Sequence, residues 1–152
     1  MAKSRQSSDG ATLATLPCAC SNLRRASRAV TQLYSQELRK VGLEPTQFTL
    51  LLALSRVGQM TQGSLATRHA IDSTTLTRTL APLRKKGWIE AKPGADRREK
   101  LLRLTHAGRR QLRRALPHWQ RAQRRLRGAL GEVKWEPLQA TITQVARAAQ
   151  KA

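Results

Sequence analysis

Leu23, Ala26, Val30, Leu33, Tyr34, Leu38 and Val41 fall three or four residues apart over about six turns, so the spacing predicts a helix from Cys18 to Val41. Gly42 stands where a left-handed C-cap is wanted. A second helix is predicted from Glu44-Pro45, with proline in the first turn where its missing N–H costs nothing, to Val57-Gly58; it carries Phe48, Leu51, Leu52 and Leu54 inward. A short helix, Gln62 to Arg68, breaks at Ala70-Ile71. Asp72 or Ser73 then caps another helix to Lys86, whose apolar stripe is Leu76, Leu80 and Leu83. Pro82 removes one hydrogen bond inside it and predicts a local kink. Trp88–Ala91 and Leu101–Leu104 are short strand candidates around a turn-forming, charged segment, residues 92–100. A long helix from Thr105 to Leu130, bent at Pro117, places Leu112, Ala115, Leu116, Trp119, Ala122 and Leu126 on one side. A last helix, Lys134 to Ala149, aligns Trp135, Leu138, Ile142 and Val145.

This order predicts an all-α fold with a small antiparallel β-wing. It is a winged helix-turn-helix over residues 44–104, flanked by long helices over 16–42 and 105–150 within a single domain, 16–152. Residues 1–15 are polar and aperiodic and read as a disordered basic arm. The stripes of the terminal helices exceed what one small domain buries alone, so a homodimer is expected. Two recognition helices would then sit about 34 Å apart, one duplex turn, on a pseudo-palindromic operator.

Charge sharpens the picture. Among 152 residues, 29 Lys and Arg face 9 acids, a formal net charge of +20. The excess concentrates between Arg84 and Arg127, where sixteen basic residues meet three acids, a net +13. Solubility needs no such single-sign field, and the bland reading, a solvated helical face, is the weaker one; a polyanionic partner is expected. Aromatic residues make up only 3%, too few for a single-strand binder that stacks bases. The longest apolar run is Leu50–Leu54, so no membrane span is expected. The polar first ten residues carry no signal-peptide pattern, and two cysteines suit a reducing cytoplasm. There is no Gly-rich phosphate loop and no carboxylate pair at catalytic spacing. His69, His106 and His118 form no metal motif with Cys18 and Cys20. Neither enzymatic activity nor a cofactor is expected.

Ser73, Thr74, Thr75 and Thr77 cluster in the first turns of the predicted fourth helix, where short hydroxyls are poor helix formers. There they can meet phosphates or thymine methyls, while Arg78 can fork onto guanine; simple N-capping is the plainer role for one of them. Arg84, Lys85 and Lys86 follow as phosphate contacts. In the charged segment, Asp96 and Arg98 lie two apart on one side of an extended hairpin, where an ion pair would aim the guanidinium at a narrow minor groove.

Leu65-Ala66, Ile71-Asp72-Ser73-Thr74-Thr75-Leu76-Thr77-Arg78 and Leu83-Arg84-Lys85-Lys86-Gly87-Trp88-Ile89 resemble the helix-turn-helix of the multiple-antibiotic-resistance regulator (MarR) family. Asp96-Arg97-Arg98, Lys100, Leu104-Thr105 and Gly108 resemble its wing and following helix. Gly42-Leu43, Gln47-Phe48 and Leu51-Leu52 fit its second helix, so the likeness runs from Leu16 to Ala149. Glu44 and Pro82 depart from the family's usual residues. The resemblance implies a double-stranded-DNA-binding transcriptional regulator, commonly a repressor, with DNA contacts extending to Arg97, Arg98 and Lys100. A non-specific nucleoid or RNA-binding protein, and a protein whose main task is metal or thiol sensing, stay open beside it.

Cys18 and Cys20 lie at the start of the first long helix, whose positive dipole end favours a thiolate. Cys20, Leu23, Ala26, Ser27 and Tyr34 resemble the segment that carries the reactive cysteine in the family's organic-hydroperoxide sensors, where a tyrosine further along the helix hydrogen-bonds the thiol. A second tyrosine of those sensors would fall near Pro45 and is absent. Residues two apart on a helix point about 200° from one another, which disfavours an intrachain disulfide. An oxidant, a soft metal held between subunits, or a small molecule in the family's ligand cleft are the effectors this implies.

Overall fold

The computed structural model describes residues 18–94, 99–131 and 135–151. Helix α1 (Ala19–Leu38) runs into a 3-10 turn (Arg39–Val41), and Gly42 at φ 72° closes it as a left-handed cap. Helix α2 (Pro45–Val57) begins after Glu44, whose backbone N–H donates to Gln47 Oε1 at 3.1 Å while its carboxylate pairs with Arg39 at 2.8 Å. That ion pair gives a physical reason for an acid at this cap position.

Strand β1 (Gln59–Thr61) leads into α3 (Gln62–His69) and then α4 (Ser73–Lys85). Strands β2 (Ile89–Pro93) and β3 (Lys100–Leu104) follow, then α5 (His106–Leu130) and α6 (Trp135–Lys151). Two strands were expected and three are present, in the antiparallel order β1-β3-β2. Gln59 pairs with Arg103, and Arg103 pairs with Glu90 across the other edge. Helix α4 continues through Pro82, and the Lys86 N–H donates to the Pro82 carbonyl at 3.0 Å. The arm expected over residues 1–15 lies outside the described residues.

The core gathers around α2, which packs on α1, α4, α5 and β3. Because it is enclosed on several sides, α2 buries Leu50 and Ala53 beside Phe48, Leu51 and Leu54, while Leu52 is only partly covered. Leu76, Leu80 and Leu83 of α4, Leu102 and Leu104 of β3, and Leu112 and Ala115 of α5 close the core; Phe48 stacks on Trp119 with centroids 5.8 Å apart.

The base of the wing is fastened to α5 around Thr105. Thr105 Oγ1 donates to the Gly87 carbonyl at 2.6 Å and accepts the Gly108 N–H at 3.0 Å, capping α5. A Cβ on Gly108 would lie 2.0 Å from the Trp88 carbonyl oxygen, backbone against backbone. Gly108→Ala is therefore expected to destabilise the protein by about 1–3 kcal/mol, read as a lower urea midpoint; an unchanged midpoint contradicts this packing.

A buried carboxylate ties α1 to α5. The Glu37 side chain is only 8% exposed and meets Lys40 at 3.0 Å, Arg121 at 3.2 Å and Arg125 at 3.5 Å. Arg121 also donates to His118 Nδ1 at 2.7 Å. Hydrogen bonds from Lys40 and Arg121 hold the Glu37 carboxyl below the usual carboxylate range. The stabilisation is thus complete above the unfolded carboxyl pKa and fades as pH falls through the folded one. Glu37→Gln should lower the thermal midpoint at neutral pH and flatten its decline in acid. A decline as steep as wild type would assign the acid limb to other groups.

Candidate nucleic-acid interface

Asp72 is the N-cap of α4. Its backbone is extended, and Oδ1 accepts the Thr75 N–H at 2.9 Å. The Thr75 hydroxyl and amide together hold the Asp72 carboxyl below its ordinary range. Turned at about 100° per residue, α4 buries Leu76, Leu80 and Leu83 and sends Thr74, Arg78 and Lys85 to the opposite pole, with Ala81 between them. All four are exposed. A small residue at the centre of that line lets a surface approach closely, and the guanidinium and ammonium flank it.

Ser73, Thr77 and Arg84 sit to one side of this line. Thr77 Oγ1 donates to the Ser73 carbonyl at 2.8 Å and accepts from Gln62 Nε2 at 3.0 Å, so Gln62 joins the first residue of α3 to α4. The sequence reading missed Gln62; only the folded turn brings it to Thr77. An open cleft of about 410 Å³ runs between these helices and the wing, lined by Gln62, Gly63, Ser73, Leu76, Glu99 and Lys100. Ser73 and Lys100, 27 positions apart, thus share one surface.

The Gly94 N–H donates to the Glu99 carbonyl at 2.9 Å, which brings the two sides of the wing hairpin together. Asp96, Arg97 and Arg98 lie outside the described residues. Arg84 and Lys85 occupy the last turn of α4, where cations also complement the helix dipole.

Lys86, expected as a phosphate contact, is exposed and also has partners within the chain. Its Nζ donates to the Gly42 carbonyl at 3.2 Å and rests 4.6 Å from the centre of the Trp88 ring, so it joins the α1–α2 turn to the wing base. That intrachain role competes with a phosphate contact.

The thiols stand far from this surface in the chain order and are exposed, beside a shallow cleft with Ser21, Arg24 and Arg28. Cys18 is not helical: it is the N-cap of α1, at φ −83° and ψ 104°. The opposition expected of two helical residues therefore does not apply to Cys18 and Cys20. Tyr34 lies fourteen residues beyond Cys20 on α1, about 21 Å of rise, and its hydroxyl donates to Gln123 Oε1. Burial raises the Tyr34 pKa. Within one chain the structure does not bring Tyr34 to either thiol. Among the described residues no three His, Cys, Asp or Glu side chains gather as a metal site. No helix among them is long and apolar enough to cross a membrane.

A helix capped by Asp72, preceded by a short helix and followed by a β-hairpin that pairs with β1, defines a winged helix-turn-helix protein. A sequence model of the MarR family matches residues 43–100. The crystal structure of the M. tuberculosis transcriptional regulator MosR in complex with DNA is 36% identical, covers 88% of this chain and 97% of its own, and superposes with a TM-score of 0.80. The transcriptional repressor CouR, bound to a 23-mer DNA duplex, is 26% identical with a TM-score of 0.80, covering 94% of this chain and 99% of its own. YwoH of Bacillus subtilis (strain 168), an uncharacterised HTH-type transcriptional regulator, is 31% identical over 83 residues, 55% of this chain and 61% of its own. The chain spans about three fifths of the length of the curated relatives it matches. It belongs to the MarR family.

Proposed function

We propose that this protein is a homodimeric, sequence-specific, double-stranded-DNA-binding transcriptional regulator. It reads a pseudo-palindromic operator and acts as a repressor released by a small ligand or by thiol chemistry. It works in the cytoplasm and is not an enzyme. Residues 44–104 form the DNA-binding unit, and residues 16–42 and 105–150 supply the dimerisation helices.

The observation that carries this reading is the exposed line of Thr74, Arg78 and Lys85 opposite the buried leucines of α4. The helix is held from behind by its core face, so the outward side chains need no rearrangement to enter a major groove. Wing residues Asp96, Arg97, Arg98 and Lys100 would extend the contact along the backbone and minor groove. The fold shared with MosR, solved with DNA, and with CouR, solved on a duplex, supports the same reading.

Selection from a random duplex library tests it. Enrichment of a palindrome with half-sites about one helical turn apart is expected. Uniform recovery of all sequences would overturn it in favour of a non-specific basic protein. For release, exposed Cys18 and Cys20 make peroxide or arsenite the reagents to try. The operator complex of wild type should dissociate and that of Cys18→Ser/Cys20→Ser should persist. An identical response of the two proteins removes the thiols from the mechanism and leaves a bound small molecule as the signal.

A further inference from the structure

The long helix α5 carries eight arginines and no acidic residue in 25 positions. Several of these guanidinium groups have work inside the chain. Arg121 and Arg125 face Glu37, Arg109 donates to the Leu104 carbonyl, Arg114 donates to Gln111, and Arg127 lies over the Trp135 ring. Arg110, Arg113 and Arg124 fall on the side opposite buried Leu112, Ala115 and Ala122, and all three are exposed. They extend over about 21 Å of helix.

Like charges three and four residues apart, as in Arg110, Arg113 and Arg114 or Arg121, Arg124 and Arg125, weaken a helix. Mixed charges would have kept the surface soluble without that cost.

We propose that this outer face of α5 is a second docking surface for double-stranded DNA, so that the protein can hold a further duplex segment while its recognition helices occupy the first. The placement follows from the packing. Helix α2 lies against both α4 and α5, and the Arg110–Arg113–Arg124 face points away from the side of α5 that meets α2. It therefore looks away from the duplex on α4.

Charge complementarity selects the occupant. Duplex DNA presents a dense line of phosphates, one negative charge per about 1.7 Å of axis, onto which each forked guanidinium group of this face can dock. A single strand would call for aromatic platforms, and a membrane surface for an apolar face; this row offers neither. The arginine face of a second copy carries the same charges and would be repelled, so a second copy is not the occupant of this face. The proposal goes beyond operator recognition and concerns different residues.

The test uses the full-length protein bound to a bead-immobilised mixed-sequence duplex, then challenged with a labelled second duplex. Wild type should capture the second duplex. Arg110→Gln/Arg113→Gln/Arg124→Gln should capture about tenfold less, with the salt slope of capture smaller by about 2.7, while the triple Lys variant retains it. The Gln variant should keep the wild-type circular dichroism spectrum and the palindrome selectivity of the first duplex. Arg78→Ala should do the reverse, altering selectivity and leaving capture per bound protein unchanged, which separates the two surfaces. Equal capture by wild type and the Gln variant, no capture by wild type, or stronger capture of double-stranded RNA or an acidic polypeptide than of DNA overturns the proposal.

Discussion

Deleting residues 132–152 should abolish the dimer and lower operator affinity by about 10²–10⁴-fold. Helix α6 buries none of its side chains within the chain, yet Trp135, Leu138, Ile142 and Val145 recur at three- and four-residue spacing. Ile142 is 47% exposed and Val145 38%, and on α1 Leu23 is 43% exposed. A stripe of that regularity, left open to water, marks a face that a partner covers. If two copies cover each other's stripes, each binds its half-site with the other already tethered beside it, and the loss on truncation is the loss of that effective concentration. Sedimentation and operator titration of the truncated chain check both parts. The DNA-binding unit keeps its core in α2, α3, α4 and the wing, so the truncated protein should still bind a half-site weakly. A truncated chain that remains dimeric with unchanged affinity would locate the interface elsewhere.

Legibility in the sequence followed the length and regularity of each element. Leu76, Leu80 and Leu83 are visible because a 3.6-residue period repeats over about two turns of α4, and all three are buried. Strand β1 is only Gln59–Thr61, too short to alternate, and exists because β3 has a second edge to offer. The role of Lys86 was hidden for a different reason. It sits in a basic run, and nothing local announces that the Gly42 carbonyl, 44 positions earlier, waits for its ammonium. Glu37 is likewise unremarkable in α1 until α5 folds Arg121 and Arg125 over it. The helical geometry assumed for Cys18 failed by one residue, at the N-cap, the position where a periodic pattern is least informative. Residues close together on one helix, such as Thr74 and Arg78 of the hydroxyl cluster, could be read in advance as a group. Those that act through distant contacts could not.

Arg78→Ala should weaken binding to the preferred operator by about 1–3 kcal/mol, roughly 5- to 150-fold, and flatten the base preference at one position of each half-site. Arg78 is exposed near the outward pole of α4, one turn from Thr74, so its removal takes away a forked donor without disturbing the leucine face behind it. The thermal midpoint should therefore stay at the wild-type value. Two neighbouring substitutions separate this effect from a general loss of charge. Lys85→Ala, on the same line, should weaken all duplexes alike and reduce the salt slope by about 0.9, the signature of one phosphate contact. Lys86→Ala should act mainly on stability, because its ammonium bridges Gly42 and Trp88. The three variants share one change of charge and differ only in where α4 and its cap place the side chain, so electrostatics alone would make them equivalent. If Arg78→Ala and Lys85→Ala lower affinity equally on preferred and scrambled duplexes, α4 is a phosphate-binding helix and its base-reading role is wrong. If Arg78→Ala alone changes the selected sequence, the residue that faces the base edges has been identified.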